Sequence, residues 1–157
     1  MGNARIRGFT APELLTVMAV AGVLISIAAP SFNTFTAQQR IKMVSSDLYL
    51  SMAKARSDAV KLNRNIVVQP LTAGGWQSGW GIWDPVNNAY LDQRAAVNAD
   101  TAITQGPASV TYQASGRIAG GVATQFQVAS ESLPTRTTPR CLLLDPSGRP
   151  YVKGAAC

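Results

Sequence analysis

The hydrophobic and polar positions divide the chain into three stretches with different periods. From Leu14 to Gln39 no residue is charged, and Leu14 to Ala29 is almost wholly apolar. As a helix this uncharged run spans roughly 39 Å, longer than the ~30 Å hydrocarbon core of a bilayer. A buried core helix would not need apolar residues on every side. Two membrane readings remain. In one, Arg5 and Arg7 form the basic region of a secretory signal peptide, Leu14 to Ile27 its apolar region, and Ser26-Ile27-Ala28 a small-x-small cleavage site. Glu13 fits that reading poorly, because it sets an acid at the mouth of the apolar run. In the other, the stretch is a single anchor helix whose flanking bases mark the cytoplasmic side.

The second stretch changes to a one-sided pattern. Ile41, Val44, Leu48, Met52, Ala55, Ala59 and Leu62 recur at steps of three or four, which predicts an amphipathic helix packed on a sheet. Arg40, Lys42, Asp47, Lys54, Arg56, Asp58, Lys61 and Arg64 lie between them and read as a solvated surface. Pro30 predicts a gentle kink between the two helical halves. Asn63 and Asn65 flank the helix end, and Arg64 suits its negative pole.

After residue 65 the period becomes two. Ile66 to Pro70 reads as a short β-branched strand ended by proline. Trp76 to Trp83 reads as the next strand, with Trp76, Ser78, Trp80 and Ile82 on one face. Asp84-Pro85 and Asn87-Asn88 are turn chemistry. Further strands are predicted at Tyr90–Arg94, Ala108–Gln113, Thr124–Ala129, Arg140–Leu144 and Arg149–Val152, the last after the turn Pro146-Ser147-Gly148. Ser130 to Pro139 reads as an exposed loop. One helix followed by strands predicts an α+β fold, with an antiparallel sheet wrapped on the helix.

Composition narrows the function. The 157 residues carry a net charge of +6 and no histidine, which removes His-based triads and imidazole bases. Two cysteines cannot form a four-thiolate metal site, and their spacing is not that of a redox C-x-x-C pair. With no nucleophile–base pair and no metal cluster to assemble, neither an enzyme nor a cofactor is expected.

Gly8-Phe9-Thr10-Ala11-Pro12-Glu13-Leu14-Leu15 resembles the processing motif of type IV prepilins and type II secretion pseudopilins. Ala11 and Pro12 stand where the family usually has Leu and Ile, and Pro12 is tolerated in a first helical turn that needs no amide donor. The resemblance implies cleavage between Gly8 and Phe9 by prepilin peptidase and methylation of Phe9. It also implies that Glu13 pairs with the N-terminal amine of a neighbouring subunit and sets axial register. A carboxylate left unpaired at the edge of a membrane helix costs on the order of 2–3 kcal/mol. Glu13 also suits the positive helix N-terminus in its own right. Gly79-Trp80-Gly81-Ile82-Trp83, Ser115-Gly116-Arg117 and Pro146-Ser147-Gly148-Arg149 are similar to the GspH/FimT branch of minor pilins and pseudopilins. That branch supplies minor subunits that cap or initiate filaments, and some of its members bind DNA during natural transformation.

The resemblance implies a type IV pilin fold with a cytoplasmic leader over 1–8, a transmembrane half-helix over 9–37, an amphipathic half over 38–64 and a periplasmic or extracellular β domain over 65–157. The implied partners are prepilin peptidase, the major pilin, other minor pilins and the bacterial inner membrane. The assembled pilus is the second implied location. Outside the cytoplasmic membrane, Cys141 and Cys157 are expected to oxidise to a disulfide.

Double-stranded DNA is the remaining partner to weigh, held through the tail. The β domain has six bases and five acids, but from Arg117 onward the bases are Arg117, Arg136, Arg140, Arg149 and Lys153 against Glu131 and Asp145. Grouped arginines can grip phosphates without regard to sequence. The DNA-binding members carry a Gly-Arg-x-Arg tail motif, whereas this chain reads Gly148-Arg149-Pro150-Tyr151. Tyr151 in the second arginine's place would have to stack on a base, with Lys153 supplying the charge. Otherwise the tail is an ordinary solvated surface. Trp76, Trp80 and Trp83 are read the same way, as stacking platforms or as core and subunit-contact residues.

Overall fold

In the computed structural model the described residues are 9–157, without the side chains of 27–30. The chain divides after Phe35 into two compact units. The helix α1 runs from Ala11 to Leu62, and its N-terminal part is long and apolar enough to cross a membrane. The side chain of Pro30 lies outside the described residues. Leu15, Met18, Val20, Val23, Leu24 and Ile25 are all exposed, as lipid-facing side chains would be.

The second unit begins at Thr36. Here α1 buries Ile41, Val44, Leu48, Met52, Ala55 and Ala59 on one face, while Leu62 is 37% exposed. The stripe therefore stops one turn earlier than the spacing predicts, because the helix itself stops. Asn63 adopts φ 49° just past Leu62. Its amide donates to the Val60 carbonyl and that of Arg64 to the Ala59 carbonyl, both at 3.2 Å, a Schellman ending that satisfies two of the last carbonyls.

Eight strands follow: β1 (Ile66–Pro70), β2 (Trp80–Asp84), β3 (Ala89–Arg94), β4 (Thr101–Thr104), β5 (Val110–Tyr112), β6 (Thr124–Ser130), β7 (Arg140–Leu144) and β8 (Pro150–Lys153). They form two four-stranded antiparallel sheets rather than one, in the orders β3-β2-β1-β5 and β4-β6-β7-β8. The buried stripe of α1 extends about 27 Å, more than four strands at ~4.8 Å spacing can cover, so strands of both sheets are needed to close the core. Both sheets meet the stripe in one core, with Ile66, Val68, Trp80, Ile82 and Tyr112 from the first and Ile103, Phe126, Val128, Leu142 and Leu144 from the second. Each large aliphatic side chain fully buried there contributes roughly 1.5–3 kcal/mol.

One local reading is corrected, and one strand is added. Trp76–Ser78 is a turn of 3-10 helix and not the start of a strand, because Gly79 breaks the extended run at φ 99°. A Cβ at Gly79 would strike the Arg94 carbonyl, so only glycine permits the close approach to β3. The short strand β4 pairs Ile103 with Val128 of β6.

The charged residues of α1 differ more from expectation. Several read as solvated are fastened to the sheets. Lys54 Nζ pairs with Asp92 of β3 at 2.8 Å, and Arg64 Nη2 with the fully buried Asp84 of β2 at 2.6 Å. Arg56 Nε donates to the Gly116 carbonyl at 3.1 Å, and Gln38 exchanges two hydrogen bonds with the backbone of Thr138. Asp84 also accepts from the Val86 amide and Asn87 Nδ2, so its turn chemistry and its ion pair are one arrangement.

Candidate functional site

Three regions hold the residues singled out by the sequence. The first is the start of α1. Gly8 lies outside the described residues, and Phe9 is 83% exposed. Thr10 precedes the helix, and its amide donates weakly to Glu13 Oε2 at 3.4 Å. Thr10-x-x-Glu13 is thus half of a capping box, in which a carboxylate at the third helical position satisfies an orphan amide. Within one subunit, Glu13 therefore caps its own helix.

The second region is the tail. Cys141 and Cys157 form a disulfide across a sequence separation of 16. The Cys157 amide also donates to Gln127 Oε1 at 3.2 Å, which fixes the tail against β6.

The third region lies between α1 and the edge strand β8, where a hollow of about 440 Å³ is lined by Tyr49, Ala53 and Arg56 of α1 and by residues 149–152. Its geometry follows from two glycines. Gly148 has φ 83°, and a Cβ there would strike the Gly116 carbonyl; that same carbonyl accepts the Arg56 Nε hydrogen bond. A Cβ at Gly116, with φ 75°, would come within 3.0 Å of Val60 on α1. The two turns therefore stack on each other and on the helix, and this stack carries Arg149 to the rim. Asp145 is the nearest acid in the turn. It accepts from Ser147 Oγ at 2.6 Å and from the Arg149 amide at 2.9 Å, and these bonds hold its carboxyl below its ordinary 3.8. Asp145 thus serves the turn, and neither the Arg56 nor the Arg149 guanidinium forms an ion pair among the described residues.

The five tail residues proposed from sequence are only partly brought together. Arg149 and Tyr151 line the hollow, and Lys153 sits along the same strand with Nζ 5.9 Å from the Tyr151 ring centroid. Arg136 is exposed in the loop before β7, and Arg140 opens β7 opposite Val128, at the far end of that strand from Arg149. Arg140 alternates in face with Cys141, whose partner is Lys153, so it does not join the Tyr151–Lys153 face. Trp76 and Trp80 are buried, and their indole N–H groups donate to the Pro107 carbonyl and Ser51 Oγ, which makes them core residues and not platforms. Trp83 is half-buried and meets Tyr90 edge-on with ring centroids 4.9 Å apart. Arg56 and Tyr49 are contributors that sequence reasoning missed, because helical spacing alone assigns them to solvent. Among the described residues, no group of three or more His, Cys, Asp or Glu is placed to hold a metal ion.

The family model described as Type II transport protein GspH matches residues 45–148, more than half of the chain. The chain belongs to the GspH family. The match covers both sheets up to the glycine beneath Arg149 and the part of α1 that packs on them. Similar solved structures include the type IV minor pilin FimU of Pseudomonas aeruginosa, at 20% identity, with 76% of this chain and 92% of that chain covered and a TM-score of 0.63. The minor pseudopilin EpsH of the type 2 secretion system of Vibrio cholerae is also similar in fold, at 7% identity, 73% and 97% coverage and a TM-score of 0.55. No curated protein sequence matches the chain. The fold is that of a type IV pilin, a long N-terminal helix packed on antiparallel sheets.

Proposed function

We propose that this GspH-family chain is a minor pilin, cut between Gly8 and Phe9 by prepilin peptidase and methylated at Phe9. Other minor pilins then draw it from the bacterial inner membrane into a complex that initiates or caps a type IV pilus built of the major pilin. The observation that carries this reading is the continuity of one helix from an exposed Phe9–Glu13 head and an apolar stretch to a face fastened to a β domain. The greater likeness to the minor pilin FimU than to EpsH favours the pilus over protein secretion. Glu13→Ala tests the assembly step. The capping bond at 3.4 Å is weak, so its loss leaves the subunit folded, processed and in the membrane. The variant should nevertheless fail to enter filaments, as read by immunoblot of sheared pili. Normal incorporation would sink the pairing role of Glu13.

A second reading, a DNA-binding minor pilin for uptake in natural transformation, is favoured by one specific observation. Tyr151 and Lys153 lie on one edge strand with Arg149 just before it, and Arg149 has no ion-pair partner among the described residues. Binding that weakens steeply with salt, with a slope of about 0.9 per phosphate contact, is its signature.

A further inference from the structure

We propose that the hollow between α1 and β8 seats a nucleotide of a single strand, the base against Tyr49 and Tyr151 and its phosphate on Arg56 and Arg149. This rests on the DNA-binding reading and narrows it from phosphate contact in general to an unpaired base. Four observations carry it. Two guanidinium groups from separate elements line one hollow, and neither forms an ion pair among the described residues, although Asp145 lies near enough to feel the charge of Arg56. Among the described residues Arg56 is held by one Nε bond to the Gly116 carbonyl, which leaves its two Nη groups to an anion. Both tyrosines are more than a third exposed, and among the described residues no hydrogen bond engages either hydroxyl. The hollow, at about 440 Å³, is far larger than a lone carboxylate needs and is floored by Ala53 and Val152, which suits a flat ring. Stacked bases of a duplex cannot enter such a space, because their faces are covered; an unstacked base has both faces free. Lys153 beside Tyr151 adds positive charge along the exit of the strand.

The test uses the detergent-solubilised full chain, with fluorescence anisotropy of a labelled oligothymidylate and of a duplex of equal length at two salt concentrations. The single strand should bind more tightly than the duplex. Tyr49→Ala, at a residue 37% exposed on the helix surface, should weaken single-strand binding roughly tenfold and leave duplex binding unchanged. Arg56→Gln and Arg149→Gln should each lower the salt slope by about one. Equal binding of both DNAs, insensitive to Tyr49→Ala but lost with Arg149→Gln, would overturn the nucleotide seat and keep the DNA-binding reading. Failure to bind either DNA at low salt would overturn both. Displacement of the oligothymidylate by polyglutamate at matched charge would assign the hollow to an acidic protein partner and likewise overturn the nucleotide seat.

Discussion

Replacing Asp84 by alanine should destabilise the β domain by about 3 kcal/mol, more than any other single change on the rim of the first sheet. Asp84 is fully buried and accepts three hydrogen bonds, from Arg64 Nη2 at 2.6 Å, Asn87 Nδ2 at 2.9 Å and the Val86 amide at 3.1 Å. The Arg64 side chain is 23% exposed, so its charge is mostly removed from water. At an effective dielectric near 20, charge centres ~4 Å apart attract by roughly 4 kcal/mol. The variant loses that attraction and strands a cation that is already largely desolvated, and the loss measured when one partner of a buried pair is removed is about 3–5 kcal/mol. Partial exposure of Arg64 puts the expectation at the lower end. Removing both charges, as Asp84→Ala with Arg64→Met, leaves nothing stranded and should cost less than either single change. Urea unfolding of the detergent-solubilised chain reads this directly. All three tryptophans lie in the β domain, so their fluorescence follows that domain and not the membrane helix. With a slope near 1.5 kcal/mol/M the midpoint should fall by about 2 M. Single variants within ~0.5 kcal/mol of the parent, or a double variant equal to the sum of the singles, would refute the claim that this pair is a coupled, buried unit.

Other expectations follow from the same geometry. Gly148→Ala should cost at least about 2 kcal/mol through its left-handed backbone and the clash with the Gly116 carbonyl, and should blunt DNA binding by displacing Arg149; a thermal melt unchanged from the parent would contradict it. Serine at both Cys141 and Cys157 should lower stability by about 3 kcal/mol on chain-entropy grounds for a loop of this length, read as a drop in melting temperature that reductant reproduces in the parent. Asp92 is held below its ordinary 3.8 chiefly by the Lys54 hydrogen bond. A depressed carboxyl stabilises the fold above its unfolded value and gives that up as pH falls through its folded one. The Lys54–Asp92 contribution should therefore be intact well above pH 3.8 and fade as pH falls below it through the lower folded value, and Lys54→Met should bring the Asp92 titration, followed by NMR, back toward 3.8.

How far the sequence could be read depended on whether a residue's role was local. The strands at Ile66–Pro70 and Arg140–Leu144 match their predicted ends, because β-branched or leucine-rich runs bounded by proline, asparagine and aspartate carry their own limits. Thr101–Thr104 is a different case: four residues with two threonines become a strand only because β6 supplies the ladder and Val128 covers Ile103. The division into two sheets was likewise hidden, since it lies in which strands pair across long stretches of chain and not in any one strand. At the candidate site, Arg149 and Tyr151 were visible from the tail pattern. Arg56 and Tyr49 were not, since only the fold brings the flank of α1 beside β8. Arg136 and Arg140 show the converse, being near in sequence to the tail yet at the far end of β7.

The side-chain fastenings of α1 bear on how a subunit would carry tension. Gln38 and Arg40 reach Thr138 and Asp100 beside the second sheet, while Lys54, Arg56 and Arg64 reach Asp92, Gly116 and Asp84 around the first. A pull along the helix axis in an assembled fibre would therefore load these bonds in shear, spread over some forty Å of helix, instead of peeling the sheets away one strand at a time. Parallel bonds loaded together must fail together, so the β domain should resist extension far better than its modest individual contacts suggest.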